Sequence, residues 1–194
     1  GVEAARPLTF GDSTKGVLAA GAQAAMYSVQ LEAGDRLYFQ PESGNGSGGW
    51  TLFDPDAATV WGRNSLQVDS GPFIAQRAGT FWMSVEGQSG ATSSVDYGFT
   101  MYKHAARSEA LVLGRTYTAA LDGPGDAASY SFEVDRATQV QWDQLSASLS
   151  NVNWVIADAK TGNTITSGTL STQDGVQSPV RLAAGSYVLR VEGT

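Results

Sequence analysis

Two short stretches bring acids close together: Asp54-Pro-Asp56 and Asp122-Gly-Pro-Gly-Asp126. Loop carboxylates are hard oxygen ligands of the kind calcium takes, and calcium requires neither Cys nor His. Asp54 with Asp56 and Asp122 with Asp126 are therefore the candidate metal ligands, with Asp12, Asp69 and Asp96 as single acids. Calcium is the one cofactor the sequence suggests. The same residues also suit a second role, because an aspartate at the head of a turn accepts hydrogen bonds from its own backbone. Asp158-Ala-Lys160 occupies the turn corresponding to Asp54-Pro-Asp56 with a Lys in place of the second acid. Neither the EF-hand loop nor the GGxGxD repeat occurs.

Other chemistry is poorly supplied. The single histidine, His104, falls in the connection between the two halves of the chain, so a Ser-His-Asp triad or a histidine-based metal site would have to form there. There is no cysteine, hence no disulfide and no thiolate nucleophile. HExxH, GxSxG and the phosphate-cradling GxxxxGK[ST] are all absent. A glycosidase-type pair of acids is defined by separation in space, which spacing in sequence does not supply. The expectation is a protein that is not an enzyme. A net charge of −7 with scattered basic residues opposes binding to phosphate backbones, so nucleic acid is excluded as a partner. No apolar run reaches the 18 or so residues that span a bilayer, so no membrane insertion is expected, and the N-terminal GVEAARP has no signal-peptide pattern.

What would position these residues is a long internal repeat. AGTFWMSVEG at 78–87 returns as AGSYVLRVEG at 184–193; Leu8-Thr-Phe-Gly11 corresponds to Leu111-Val-Leu-Gly114, Tyr27-Ser-Val29 to Tyr130-Ser-Phe132, and Trp50-Thr-Leu-Phe-Asp54 to Trp154-Val-Ile-Ala-Asp158. The offset grows from 103 to 104 to 106 residues, so the insertions fall in loops. A period of this length is a whole domain rather than a solenoid unit of roughly 20–50 residues. Apolar residues alternate with polar or small ones, as at Tyr27, Val29, Leu31, Leu37 and Phe39, which is the period of half-buried strands. The reading is all-β: two tandem antiparallel β-sandwich lobes of Greek-key or jelly-roll type, 1–105 and 106–194, each with about seven or eight strands.

The order Leu-x-Leu-Gly, Tyr-Ser-Phe, an apolar strand, Trp-x-Leu-x-Asp and Ala-Gly-x-Tyr-x-Leu-x-Val-Glu-Gly resembles the bacterial pre-peptidase C-terminal domain and related sandwiches. Such domains are appended to secreted proteases and strung along repeats-in-toxin adhesins. The resemblance implies an extracellular, cell-surface setting and a role in adhesion, as a module that spaces or presents neighbouring domains of its parent chain. A ligand-binding module for carbohydrate or peptide and an accessory domain of a secreted hydrolase are the alternatives. The family often has an Asp just before the Tyr-x-Phe strand; Ala24-Ala-Met-Tyr27 lacks it, and Asp126 lies slightly upstream of Tyr130.

Two asymmetries between the halves bear on function. If Phe81, Met83 and Val85 face the core, Trp82 points outward, and the same parity puts Tyr38 and Trp61 outside, beside inward Phe39 and Val60. Their counterparts are Val188, Gln141 and Thr166, and Phe53 stands against Ala157. Tyr38, Phe53, Trp61 and Trp82 are thus the candidate contact residues, either for a sugar or peptide or for a neighbouring domain. The second asymmetry is a strand. Val95-Asp-Tyr-Gly-Phe-Thr-Met-Tyr102 follows the first Glu-Gly, whereas only Thr194 follows the second. The second lobe is expected to lack its last strand, supplied in the parent by residues beyond Thr194, directly or after an inserted domain; the N-terminal Gly1-Val-Glu-Ala-Ala-Arg6 is the alternative source, with a poor alternating pattern.

Overall fold

Turn-forming stretches such as Glu32-Ala-Gly-Asp35 and Asp54-Pro-Asp56 cut the alternating pattern into short strands. The computed structural model describes residues 4–20, 23–42, 46–88, 90, 92–148, 152–170 and 175–193. The chain divides into two units, Gly1–Ala105 and Ala106–Thr194, and the described residues are all-β.

The first lobe contains β1 (Arg6–Pro7), β2 (Ser13–Leu18), β3 (Ala24–Leu31), β4 (Arg36–Pro41), β5 (Gly48–Phe53), β6 (Thr59–Ser65), β7 (Ser70–Ile74), β8 (Gly79–Gly87) and β9 (Val95–His104). One sheet has the order β1-β3-β8-β5-β6 and the other β2-β9-β4-β7. Most successive strands change sheet, so the inward residues of both sheets meet in one core. Tyr27, Val29, Trp50, Leu52, Phe81, Met83 and Val85 come from the first sheet; Leu18, Leu37, Phe39, Tyr97, Phe99 and Met101 come from the second. Phe39 stacks on Trp50 at 4.7 Å and on Phe99 at 5.1 Å. Burying each such side chain contributes about 1.5–3 kcal/mol. The Tyr27 and Tyr97 hydroxyls, both inside this core, satisfy one another at 2.7 Å.

The second lobe contains β10 (Ser108–Ala110), β11 (Ala127–Val134), β12 (Thr138–Val140), β13 (Asp143–Gln144), β14 (Val152–Asp158), β15 (Thr164–Thr169), β16 (Gly175–Val176), β17 (Val180–Leu182) and β18 (Gly185–Gly193). Its main sheet, β10-β11-β18-β14-β15, repeats the first lobe's order. The registers repeat too. Tyr130 pairs with Leu189 as Tyr27 pairs with Met83, and Trp154 with Val191 as Trp50 with Val85. All four of these Tyr and Trp side chains are buried. The sandwiches are not antiparallel throughout: β1 runs parallel to β3 and β10 parallel to β11, Arg6 pairing with Tyr27 and Glu109 with Tyr130.

The facing sheet of the second lobe is reduced to two small ladders, β12-β17 and β13-β16. Residues 116–121, which the repeat places on β2, form no ladder. Among the described residues of this lobe, none stands where β9 stands in the first.

Candidate binding face and acidic turns

Trp82 projects from β8 on the face turned away from the core, between inward Phe81 and Met83. Its cross-strand partners are Ser28 on β3 and Phe53 on β5. Trp82 and Phe53 are both half-buried and lie side by side on the outer face of the five-stranded sheet. Polar pairs frame them. Gln30 donates to Thr80 at 2.6 Å, the Ser84 hydroxyl donates to Glu86 at 2.8 Å, and Arg63 pairs with Glu86 at 3.2 Å. Arg63 lies flat over Gly49, where a Cβ would come within 2.6 Å of its Nε.

The other two candidate aromatics do not join this face. Trp61 was expected outside and is turned inward: its ring meets Trp50 edge-on at 4.6 Å and stacks on Phe73 at 5.5 Å. Val60, expected inward, is 39% exposed. The cause is irregular pairing of β5 with β6, which shifts between Trp50 and Leu52 and again between Leu52 and Phe53. Each shift inverts the inside-outside count along β6. Tyr38 does point away from the core, from the opposite sheet, yet it is only 8% exposed. Gly71 packs onto its ring, and its hydroxyl donates to Asp69 at 3.2 Å. Burial, then the Asp69 charge and hydrogen bond, push its phenol pKa up. Tyr38 is therefore a covered residue of the outer layer and offers no ligand surface.

The acids are engaged by the chain's own donors. Asp54 accepts the backbone N–H groups of Asp56 and Ala58, each at 2.9 Å, and pairs with Arg77 at 2.6 Å. Arg77 also reaches Asp56 at 2.6 Å. Desolvation would raise the Asp54 pKa, but the two backbone N–H donors and Arg77 together hold it below the usual carboxylate range. In the second lobe Asp158 does the same work, accepting the N–H groups of Lys160 and Thr161. The Thr161 backbone and hydroxyl hold its pKa down.

Asp126 is buried, and its oxygens accept from Arg107, Asp122 N–H at 2.8 Å and Ala127 N–H at 2.8 Å. The Asp122 carboxylate is on an exposed residue and is not gathered with it into a ligand cluster. Gln23, at the position of Asp126 in the first lobe, likewise accepts Ala19 N–H at 3.0 Å. A neutral amide thus does there what Asp126 does here. Asp12 and Asp96 are exposed, and Asp69 serves Tyr38. Among the described residues no three His, Cys, Asp or Glu side chains come together in a geometry that could hold a metal ion. His104 is not in the connection: it ends β9, opposite Arg36, with its ring stacked over Tyr102 at 6.4 Å.

The chain matches no protein-family model and no curated protein. Among solved structures it is similar to the N-terminal CBM22-1-CBM22-2 tandem domain from Paenibacillus barcinonensis Xyn10C, at 9% identity and a TM-score of 0.29, over 99% of this chain and 92% of that one. It is also similar to the CUB1-EGF-CUB2 domain of human MASP-1/3, at 8% identity and a TM-score of 0.24, over 92% and 93%. Both scores lie below the level at which two folds correspond, so the functional reading rests on this chain's own residues.

Proposed function

We propose that the chain is a non-catalytic module of a secreted bacterial surface protein, acting in adhesion by spacing or presenting the domains beside it. The observation that supports this most is how the polar side chains are used. Asp54, Asp126 and Asp158, the acids best placed to do chemistry, each hold a turn closed, and the turns recur at matching positions in the two lobes. Such groups stabilise loops, and these three acids have their oxygens taken up by the chain's own donors. The strands carry the rest of the lobe, with large aromatic cores.

A second reading has one specific observation in its favour. Trp82 and Phe53 form an outward aromatic pair in the first lobe, and Val188 and Ala157 replace them in the second. Two aromatic residues at paired positions of one outer face, framed by amide, hydroxyl and carboxylate groups, suit a sugar face or a peptide side chain. The separating experiment is a glycan and peptide array probed with the full chain, with and without calcium. A spacer gives no signal above background in either condition. Signal that disappears in Trp82→Ala would replace the spacer reading with ligand binding on the first lobe.

A further inference from the structure

In the first lobe β9 lies between β2 and β4 and is antiparallel to both. It contributes Val95, Tyr97, Phe99 and Met101 to the core. The residues flanking it are sealed: Leu18 on β2 is 3% exposed, and Leu37 and Phe39 on β4 are 0%. The repeat puts Leu121, Val140 and Trp142 at those three positions in the second lobe, where all three are only partly buried. The equivalence of Trp142 and Phe39 is independent of sequence counting, since Trp142 stacks on Trp154 as Phe39 stacks on Trp50. Among the described residues β12 pairs with β17 alone, so no described strand covers its other edge.

The lining of this gap differs from that of the first lobe in a consistent direction. In the first lobe, bulk sits on β9 and the facing β2 residues are small. Thr14 pairs with Phe99, and Gly16 pairs with Tyr97. A Cβ on Gly16 would lie 2.3 Å from the Tyr97 hydroxyl. In the second lobe these two positions are Tyr117 and Ala119. Tyr117 turns inward and meets Tyr130 at 5.4 Å, the place taken in the first lobe by Phe99, which meets Tyr27 at 5.8 Å. The Tyr117 hydroxyl accepts Val112 N–H at 2.7 Å, which holds the ring there.

The outer side differs as well. Glu42 crosses over Gly98 of β9 to reach Ser13 and, at 2.8 Å, Lys15, so a Cβ on Gly98 would come 2.8 Å from its carboxylate. The equivalents in the second lobe are Thr116, Thr118 and Leu145, with Leu145 53% exposed. No carboxylate is placed there to bridge the gap.

We propose that the second lobe is a strand acceptor with a size rule of its own. Its occupant is an extended segment from outside residues 1–194, lying antiparallel to residues 116–121 and inserted between them and 139–144. The occupant carries apolar residues at alternate positions, and those opposite Tyr117 and Ala119 are of about Val size rather than aromatic. The reason is conservation of volume: cores fill to a fixed density, and extra bulk on one side of a ladder must be matched by less on the other. The position matching Gly98 is free to bear a side chain. This assignment does not depend on which neighbours the module presents.

The test extends the full chain after Thr194 with a second copy of residues 88–104, in three versions. One is unmodified, one carries Tyr97→Val and Phe99→Val in the appended copy, and one carries Val95→Ser, Phe99→Ser and Met101→Ser there. Hydrogen exchange of amides 116–121 and 139–144 and thermal unfolding are followed in each. The volume-matched extension is expected to slow exchange at those amides about 100-fold and to raise the second lobe's Tm by about 10 °C. The unmodified extension should do less, and the serine version nothing. The proposal is overturned if the volume-matched and serine versions behave alike, or if the unmodified copy protects better than the matched one. A concentration-dependent dimer of the unextended chain with amides 116–121 protected would also overturn it, by making a second copy the occupant.

Discussion

Trp61→Ala and Trp82→Ala should separate, although both rings are half-buried and both belong to the five-stranded sheet, on strands that flank β5. A tryptophan buries on the order of 150–250 Å² when covered. For a half-covered ring, about 100 Å² at about 25 cal/mol per Å² gives roughly 2.5 kcal/mol. Trp61 adds two ring contacts, to Trp50 and Phe73, at about 0.5–1.5 kcal/mol each. Because Phe73 belongs to the facing sheet, removing Trp61 also leaves a void between the layers. The expected loss is about 3–5 kcal/mol, within the range for Trp→Ala in cores. Trp82 carries the same burial term without the Trp50 and Phe73 contacts or the void between layers, so its loss is about 2.5 kcal/mol or less. Urea unfolding of the full chain, with hydrogen exchange of β5 and β8 amides to report on the first lobe alone, reads both. At a slope of about 2 kcal/mol per M, the first lobe's midpoint falls by about 2 M for Trp61→Ala and by about 1 M or less for Trp82→Ala. Equal losses, or a larger one for Trp82→Ala, would refute the assignment of inside and outside on which the binding face depends.

Tyr27→Phe or Tyr97→Phe alone should cost about 1 kcal/mol, because each removes the buried hydrogen bond between the two hydroxyls. The double variant should cost less than the sum, and a double-mutant cycle by urea unfolding that showed simple additivity would discard the pairing. The depressed Asp54 pKa contributes stability that is fully present above the unfolded value near about 3.9 and is lost as pH falls through the folded value. Asp54→Asn should therefore be less stable than the parent at pH 6, with the gap closing below about pH 4 in acid-titrated urea curves; a gap constant with pH would remove the charge pairing with Arg77. Because the oxygens of Asp54 and Asp126 are already taken by donors, adding calcium or a chelator should leave the Tm of the full chain unchanged, and a calcium-dependent rise in differential scanning calorimetry would reinstate a metal site.

How much of this was legible in the sequence depended on which physical rule carried each residue. The Tyr27/Tyr130 and Trp50/Trp154 correspondence was readable because core positions repeat with strict register, and the observed pairings reproduce it on both sides of β8 and β18. Trp82 was placed correctly because β8 pairs without irregularity with both neighbours. Trp61 was not, because parity is a running count and the shifts beside Leu52 leave no mark in composition. Tyr38 shows a different limit. Its parity is right, but its cover comes from Asp69 and Gly71, some thirty residues along the chain, and alternation says nothing about what folds back over an outer face.

The acids were ambiguous for a related reason. Asp54 looks the same in sequence as a ligand or as a turn acceptor; its bonds from the Asp56 and Ala58 N–H groups are local, but the Arg77 that joins them comes from 23 residues along the chain. The missing strand was visible as a count, whereas its specificity was not. That Gly16 is neighbour to Tyr97, while Ala119 at the equivalent position has no such tyrosine opposite it among the described residues, is apparent only when the two lobes are superposed. A substitution as slight as Gly to Ala between repeats is ordinarily unremarked. In the first lobe a Cβ on Gly16 would stand 2.3 Å from the buried Tyr97 hydroxyl, so an Ala there would exclude the tyrosine that β9 carries.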